Sequence, residues 1–177
     1  MTSELPSVGA MGIACDKLAR MVALSEHFQT ATQTTTYAQA REKVFRKNVI
    51  GSANRPFAIV SQEVRHELTP NAGGSQNWFL HGGELFLGLY IDTPREYWSD
   101  NILAETYADN FFSPVITDVA ALANADDPDV ADRVVDDEGH LDIRGIIRLA
   151  FSETEKENWN TIGRFWVAYY SVLWGGV

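Results

Sequence analysis

Apolar residues recur at helical spacing near the start of the chain. From about Met11 they return every three or four positions as far as Phe28, with polar residues between them. This periodicity predicts an amphipathic helix. β-Branched threonines disfavour helix, so we expect a break near Thr34. The segment that follows, YAQAREKVF, predicts a second short helix that ends before Asn48.

Two segments alternate between apolar and polar residues, which is the pattern of half-buried strands. The first, PFAIVSQEVRHEL, begins at Pro56, and its alternation changes phase near Ser61 and Gln62, which predicts a bulge. One face of the second, GGELFLGLYID, carries Leu85, Leu87, Leu89 and Ile91. The turn-rich TPNAGGSQN lies between the two segments, so we predict a long antiparallel hairpin.

A long central helix is predicted over residues 94–124, where apolar side chains again follow a three-or-four spacing. Ser113 and Pro114 have the pattern of an N-cap followed by a first-turn proline, which predicts either two helices or one kinked helix. After an acidic connector at 125–140, LDIRGIIRLAF predicts a third strand and SETEKENWN a charged turn. TIGRFWVAYYSVLWGGV predicts the fourth strand.

The predicted order of elements is therefore α-β-β-α-β-β. Two hairpins separated by a helix are typical of an α+β domain. We expect an antiparallel sheet of about four strands, packed on one face by the N-terminal helix and the long central helix. Residues 1–10 are predicted to be a flexible lead-in, and 11–177 a single domain, which suits a chain of 177 residues.

The fourth predicted strand is apolar on both of its faces. Trp166, Tyr170 and Trp174 fall on one face, and Phe165 and Val167 fall on the other, because strand side chains alternate. A single core covers one face, so a helix layer or a second copy of the chain must cover the other. Aromatic side chains with a polar tip are enriched at interfaces. We therefore hypothesise that Trp166, Tyr170 and Trp174 lie at a boundary between subunits.

The charge of the chain limits the classes of partner. The formal net charge is −10 and the sequence pI is near 4.7. A protein that binds a DNA groove would show a basic stripe, whereas an acidic wall lets DNA pass without holding it. No apolar stretch is long enough to span a membrane, and the N-terminus lacks the basic start of a secretory signal.

Residue types that carry chemistry are scattered. The sequence has one cysteine, Cys15, which excludes an internal disulfide framework, favours a reducing cytosol and is predicted to be an inert packing residue. No two histidines have the spacing that places metal ligands on one helix face. Strand pairing would bring only two of them, His66 and His81, near each other, and the full set is His27, His66, His81 and His140.

Other site motifs are missing from the sequence. The acidic connector lacks the glycine and glutamate positions of a calcium loop, so we interpret it as a solvated loop. There is no G-x-S-x-G elbow and no phosphate-binding loop with its lysine. These patterns predict a protein that is not an enzyme and has no metal or cofactor.

Basic residues cluster in REKVFRK, which contains Arg41, Lys43, Arg46 and Lys47. One interpretation is a solvated helix end, where cations complement the helix dipole. The other is a rim that meets an acidic partner or the acidic connector of another copy. In the second interpretation, Arg41 and Arg46 are candidate interface residues.

A series of motifs along the chain resembles a known family. The series is RPFAIV at a strand start, GGELFLGL, the helical FFSPVITDVAALA, IRGIIRLAFSET, and finally GRFWVAYYSVLWG. In order and hydrophobic pattern, over roughly residues 11–177, it is similar to the tail-terminator and tail-completion neck proteins of tailed bacteriophages and prophages.

The resemblance implies a structural virion protein. Such subunits close into a ring, a hexamer in the expected case, which caps the finished tail tube, docks it to the head connector or stopper protein and lets DNA pass through without sequence-specific binding. The expected location is the neck of the virion, after assembly in the bacterial host cytoplasm. The loops near 70–77 and 125–140 become candidates for docking, represented by Asn71, Ser75, Asp127 and Asp136.

Other functions remain open at the level of sequence. A different neck component, such as a stopper or adaptor, shares the same hydrophobic pattern. A small α+β enzyme or ligand-binding domain would instead show a concave pocket with convergent polar groups. An intracellular adaptor or chaperone that binds one protein partner is a third class.

Overall fold

The computed structural model describes residues 10–46, 54–70, 79–124, 148–150, 157–162 and 165–176. The helices are α1 (Ala10–Leu24), α2 (Glu26–Ala31), α3 (Tyr37–Arg41) and α4 (Asn101–Asn124), with a short 3-10 helix at Arg95–Tyr97. The strands are β1 (Val44–Phe45), β2 (Phe57–Pro70), β3 (Phe79–Asp92), β4 (Arg148–Ala150), β5 (Glu157–Ile162) and β6 (Phe165–Gly176).

The strands form one sheet in the order β1-β2-β3-β6-β4, and β5 also pairs with β6. The four predicted strands correspond to β2, β3, β4 and β6, so the α+β class and both predicted hairpin pairings are confirmed. The sheet is mixed rather than antiparallel, which corrects the prediction. The reason is β1, which runs parallel to β2 with Val44 opposite Ala58.

Two strands form where the sequence predicted something else. β1 lies in a segment predicted as helix: α3 ends at Arg41, and the Lys43 carbonyl accepts a hydrogen bond from the Ala58 amide at 3.0 Å. β5 begins inside the predicted charged turn, with Glu157 opposite Tyr169. Both are short segments that gain their structure from pairing with a longer neighbour.

The predicted bulge in β2 is confirmed. Gln62 is opposite Leu85 and His66 is opposite Gly83, so three residues of β2 face the single residue Glu84 of β3. His81 is opposite Leu68, two pairs further along the hairpin from His66.

The first predicted helix is interrupted earlier than expected. α1 ends at Leu24, and Ser25 begins α2 by accepting a hydrogen bond on its Oγ from the Phe28 amide at 3.1 Å. Serine is a favoured N-cap because this bond satisfies a free amide of the first turn. α2 ends at Ala31, three residues before Thr34. The helical segment therefore ends close to the predicted position, but as two helices rather than one.

The central helix α4 is continuous through Pro114. The prediction of an N-cap at Ser113 is wrong, because its Oγ donates to the Asp109 carboxylate at 2.6 Å one turn earlier and its carbonyl accepts from Thr117 Oγ1 at 2.8 Å. The helix starts at Asn101 rather than near Pro94.

The sheet separates two clusters of buried side chains. The larger cluster lies between the sheet and the helices, and the strands contribute to it Ala58, Val60, Leu85, Leu87, Leu89, Ile91, Trp166, Ala168, Tyr170 and Val172. Helices therefore pack on this face, as predicted. The smaller cluster is made of strand residues alone, with Phe57, Ile59, Tyr90 and Val167 at its centre. We call the face that carries it the outer face.

Candidate interaction surfaces

The predicted interface aromatics Trp166 and Tyr170 lie in the main core. Their exposed fractions are 7% and 2%. Trp166 is opposite Ile91 and Tyr170 is opposite Leu87 in the sheet register, so both side chains point toward the helices. The prediction that they are shared with a neighbouring subunit is corrected, because the helices of the same chain cover them. Trp174 pairs through its backbone with Gly83 and Leu149.

The predicted interface arginines stabilise the fold from within. Arg41 donates to the Val44 carbonyl at 2.9 Å and to the Asp16 carboxylate at 3.4 Å. Asp16 also accepts from Arg20 at 2.9 Å within α1. The bond from Arg41 to Asp16 therefore links α1 to the segment that leads into β1. These contacts give Arg41 a role within the fold, and its proposed interface role stays a prediction.

Arg46 is directed toward α1. Burial raises the pKa of the Cys15 thiol, and the Arg46 guanidinium, which is hydrogen-bonded to that thiol, acts in the opposite direction. Cys15 is fully buried, which agrees with the expected packing role. Arg46 therefore connects the residue after β1 to α1, and its predicted place in an interface stays a prediction. The predicted docking residues Asn71, Ser75, Asp127 and Asp136 lie outside the described residues.

The outer face of the sheet is aromatic. The Phe57 and Tyr90 rings stack with centroids 4.6 Å apart, and Phe45 meets Phe57 edge-on at 5.6 Å. Phe165 packs against the same cluster and is partly buried. The sequence therefore indicated correctly that the last strand is apolar on both faces. The face turned away from the helices is the one with Phe165 and Val167.

Tyr169 is the most exposed aromatic of the outer face, at 37%. Its hydroxyl lies 3.2 Å from that of Tyr90, and the two rings are nearly perpendicular, at 89°. Gly88 makes this arrangement possible, because a Cβ there would lie 3.0 Å from Tyr90 Cε2 and 3.3 Å from Tyr169 Cε1. The two tyrosine rings thus pack over the backbone of β3 at Gly88. The contact with Tyr90 holds the Tyr169 ring in place.

Arg55 lies at one end of the outer face. Its guanidinium carbon is 4.2 Å above the centroid of the Phe165 ring, and its Nε donates to the Asp92 carboxylate. A cation over an aromatic face is attracted by the ring quadrupole. This end of the outer face therefore combines aromatic area with an arginine whose charge is paired with that of Asp92.

A second apolar surface lies at the start of α4. Trp98, Ile102 and Leu103 are 39%, 77% and 49% exposed. We call these three residues the α4 surface. Together with Tyr169 they are the large apolar side chains that the described part of the chain leaves exposed. The three residues lie close together in the chain, and a cluster of exposed apolar residues marks an interaction site more often than a single one does.

Local hydrogen bonds fix the α4 surface in position. The Asp100 carboxylate accepts from the amides of Ile102 and Leu103, both at 3.0 Å, and so caps the helix. The indole Nε1 of Trp98 donates to the Thr93 carbonyl at 3.0 Å. These bonds fix the backbone at Ile102 and Leu103 and the indole of Trp98, which reduces the conformational entropy that binding would cost.

The surroundings of the α4 surface are mainly acidic. Glu96, Asp100 and Glu105 are exposed, and the nearby cation Arg95 lies with its guanidinium carbon 5.6 Å from the Trp98 ring centroid. An apolar patch with an acidic rim favours a partner surface that carries positive charge.

Ser25, His27 and Asp118 form a polar cluster with the residue types of a hydrolase triad. Asp118 Oδ2 accepts from Ser25 Oγ at 2.6 Å and lies 2.9 Å from His27 Nδ1. The serine therefore bonds the carboxylate and not the imidazole, so the His–Ser contact of a hydrolase triad is not formed. The cluster instead ties the start of α2 to α4.

The same contacts set the ionisation of Asp118. Burial acts to raise the pKa of its carboxyl, but the hydrogen bonds from Ser25 and His27 outweigh burial and the pKa lies below its usual value of 3.8. The carboxylate form is thus the one that stabilises the junction between the two helices.

Within the described ranges, no three His, Cys, Asp or Glu side chains come together as a metal site would require. No helix in that part of the chain combines the length and apolar character needed to cross a membrane.

No protein-family model matches the chain. A search of the curated proteins likewise finds no match. The candidate surfaces therefore rest on the physical character of the residues.

The exposed residues missed by the sequence predictions had a detectable signal. The buried stripe of α4 passes through Ala104, Ala108, Phe111, Val115 and Val119. Ile102 lies about 200° around the helix from Ala104, because each residue turns the helix by about 100°. An apolar residue opposite the buried stripe indicates an interaction surface. The stripe begins with the small residues Ala104 and Ala108, so its first turns give a weak hydrophobic signal in the sequence.

Proposed function

We propose that the chain is a structural subunit of the neck of a tailed bacteriophage. Its copies close into a ring, a hexamer in the expected case, that terminates the tail tube and joins it to the head connector. The observation that carries this proposal is the α4 surface. Trp98, Ile102 and Leu103 present rigid apolar area in a domain whose main core is already closed by its own helices.

Ring formation places a specific demand on the subunit. A closed ring uses a head-to-tail interface, in which two different patches of each copy meet. The described residues carry exposed large apolar side chains in two separate elements, the start of α4 and strand β6. This distribution supports a ring better than an enzyme.

The remaining properties of the chain agree with a scaffold role. The proposed site is a protein-binding surface, and the proposed subunit is not an enzyme and uses no cofactor. A net charge of −10 supports passage of DNA without specific binding, provided that acidic groups face the channel. The proposed location is the neck of the virion, reached after assembly in the bacterial cytoplasm.

The proposal is tested by assembly of the purified chain. We expect multi-angle light scattering to give a mass several times that of the 19.7 kDa subunit, alone or after addition of tail tube protein. Negative-stain electron microscopy should then show rings with a central opening. A chain that stays monomeric at high concentration, and that tube protein does not assemble, would contradict the proposal.

Another neck component, such as a stopper or adaptor, is the second candidate. The same surfaces would serve a ring at a different level of the neck. Binding to isolated tail tubes, compared with binding to isolated connectors, distinguishes these roles. A terminator caps tubes and stops their extension, whereas an adaptor binds connectors and leaves tube length unchanged.

A further inference from the structure

We propose that the α4 surface binds an apolar segment of another protein that carries lysine or arginine side chains. The apolar side chains of that segment cover Ile102 and its neighbours, and its cations meet Glu96 and Glu105. The inference goes beyond the proposed ring, because it assigns this surface to a partner that is not a second copy. It concerns the single subunit, so it can be tested whether or not the copies assemble.

The apolar side chains at the start of α4 are not needed for the core of the subunit. Ile102 is 77% exposed and Leu103 is 49% exposed, whereas Ala104 and Ala108 of the same helix are buried against the main core. Removal of exposed apolar side chains from water is the main driving force of association. The start of α4 therefore supplies apolar contact area that a partner can cover without any change in the core.

The charge of α4 indicates the chemistry of the partner. The helix has three acidic residues and no lysine or arginine in its 24 residues. Asp109 and Asp118 are hydrogen-bonded to neighbouring side chains, whereas Glu105, next to the α4 surface, is exposed. Glu96 is exposed on the 3-10 helix before it. Among the described residues neither Glu96 nor Glu105 takes part in an ion pair, so both carboxylates are available to cations of a partner.

Two other charges beside the α4 surface already have a place in the subunit. Asp100 accepts hydrogen bonds from the amides of Ile102 and Leu103, so its charge complements the start of the helix. The Arg95 guanidinium lies near the Trp98 ring, where a cation is attracted by the ring quadrupole. One cation against three carboxylates leaves the rim of the surface negative.

A second copy offers little positive surface in the described part of the chain. Of the cations whose side chains are described there, Arg95 is the exposed one, and it belongs to the rim of the α4 surface itself. The others are half-buried, and Arg20, Arg41 and Arg55 form ion pairs with acids of their own chain. The net charge of −10 also makes copies repel one another on average. Charge complementarity therefore favours a different, basic protein.

The probe for the test is a synthetic amphipathic peptide of leucine and lysine that carries a fluorescein label. Fluorescence anisotropy measures its binding to the full chain at physiological salt. We expect the wild type to bind it saturably and Ile102→Asp to bind it at least about tenfold more weakly, because apolar anchors dominate the affinity of such contacts. Non-specific attraction of the peptide to an acidic chain predicts the opposite, since this variant adds a negative charge.

A pair of double variants tests the charges. Glu96→Gln combined with Glu105→Gln should weaken binding about threefold or more and make it less sensitive to salt. Glu26→Gln combined with Glu42→Gln removes the same charge from exposed positions on other elements, so it is the matched control and should bind like the wild type. Circular dichroism should show that every variant stays folded, because all the changed side chains are exposed.

The outcomes separate this inference from the proposed ring. Equal binding by the wild type and Ile102→Asp, or equal loss in the two double variants, overturns the inference and leaves the ring untouched. Light scattering that shows rings for the wild type and none for Ile102→Asp would mean that the surface joins copies, which also overturns it while the ring stands. Binding to phosphatidylcholine vesicles that Ile102→Asp abolishes would assign the surface to lipid instead. Specific peptide binding by a chain that never forms rings supports this inference alone.

Discussion

The hydroxyl groups of Tyr90 and Tyr169 lie 3.2 Å apart on the outer face of the sheet, although the two residues are 79 positions apart in the chain. Tyr90 is buried against Phe57, whereas Tyr169 is partly exposed. The bond therefore links the small outer cluster to the solvent-facing surface. It also makes tyrosine ionisation a sensitive probe of the fold.

Stability should fall at alkaline pH. The pKa of Tyr90 is raised by burial and, to a lesser degree, by its hydrogen bond with Tyr169. Burial also raises the pKa of Tyr170. A phenol whose pKa is higher in the folded state contributes stability that is complete below its unfolded pKa, about 10, and is lost as pH rises beyond it. Urea unfolding at increasing pH should show this decline.

Tyr170→Phe provides the control for the alkaline prediction. The Tyr170 hydroxyl is buried and has no hydrogen-bond partner among the described residues. Removal of an unsatisfied hydroxyl at constant shape changes stability little or increases it, so we expect a change within about 1 kcal/mol at neutral pH. The alkaline decline should become smaller. A loss of several kcal/mol at neutral pH would contradict this account.

Gly88→Ala should destabilise the fold by about 1–3 kcal/mol. The added methyl group would lie 3.0 Å from Tyr90 Cε2, and the Tyr90 ring cannot move freely because it stacks on Phe57 at 4.6 Å. Chemical denaturation measures the loss. A double-mutant cycle with Tyr90→Val supplies the control, because removal of the ring should reduce the penalty at Gly88. An unchanged penalty would show that the clash is not with Tyr90.

Asp118→Asn should lower the melting temperature. The amide still accepts one hydrogen bond but loses the negative charge that holds Ser25 and His27, and hydrogen bonds to charged groups contribute about 1.5–3 kcal/mol when buried. We expect the lower part of this range, because Asp118 is partly exposed. Differential scanning calorimetry measures the shift. Glu105→Gln, an exposed acid on the same helix, should have almost no effect.

The same aspartate gives a prediction at acid pH. Because the folded pKa of Asp118 lies below its usual value of 3.8, its contribution is complete above that value and is lost as pH falls through the folded pKa. The difference in stability between wild type and Asp118→Asn should therefore narrow below about pH 4. A difference that is constant with pH would mean that the charge plays no part.

Arg41→Ala should cost about 1–3 kcal/mol of stability, because it leaves the Val44 carbonyl and one oxygen of Asp16 without the arginine. Arg41→Lys should recover only part of this loss, since one ammonium cannot reproduce the fork that reaches both acceptors. Equilibrium denaturation gives the stabilities. If Arg41→Ala leaves stability unchanged and weakens self-association alone, the interface hypothesis for this residue is supported instead.

The sequence predicted the long strands well because their alternation is a local property. The alternation of Leu85, Leu87 and Leu89 indicates one buried face without any information from the rest of the chain. Which face of a strand points toward the helices is not a local property, because it depends on the side of the sheet on which the helices pack. For β6 both faces are apolar, and the larger aromatics Trp166 and Tyr170 turned toward the core, so the exposed aromatic is Tyr169.

The missed elements depend on partners far away in the sequence. Val44 and Phe45 directly follow a segment of helical composition, and they form β1 because the backbone of Ala58 pairs with them. Glu157 lies in a charged segment and enters β5 because β6 has an open edge. The roles of Arg41 and Arg46 were missed for a similar reason, since neither Asp16 nor Cys15 is near them in sequence.

The place of β6 in the sheet has a consequence for folding of the nascent chain. β6 is the last described strand to be synthesised, yet it sits between β3 on one side and β4 and β5 on the other. A ribosome-bound chain that has reached only Asn124 exposes the unpaired edge of β3 and the apolar face of α4 that later packs in the main core. Contacts of such high sequence separation form slowly, so chaperone capture during translation is the expected fate of this chain until its final strand emerges.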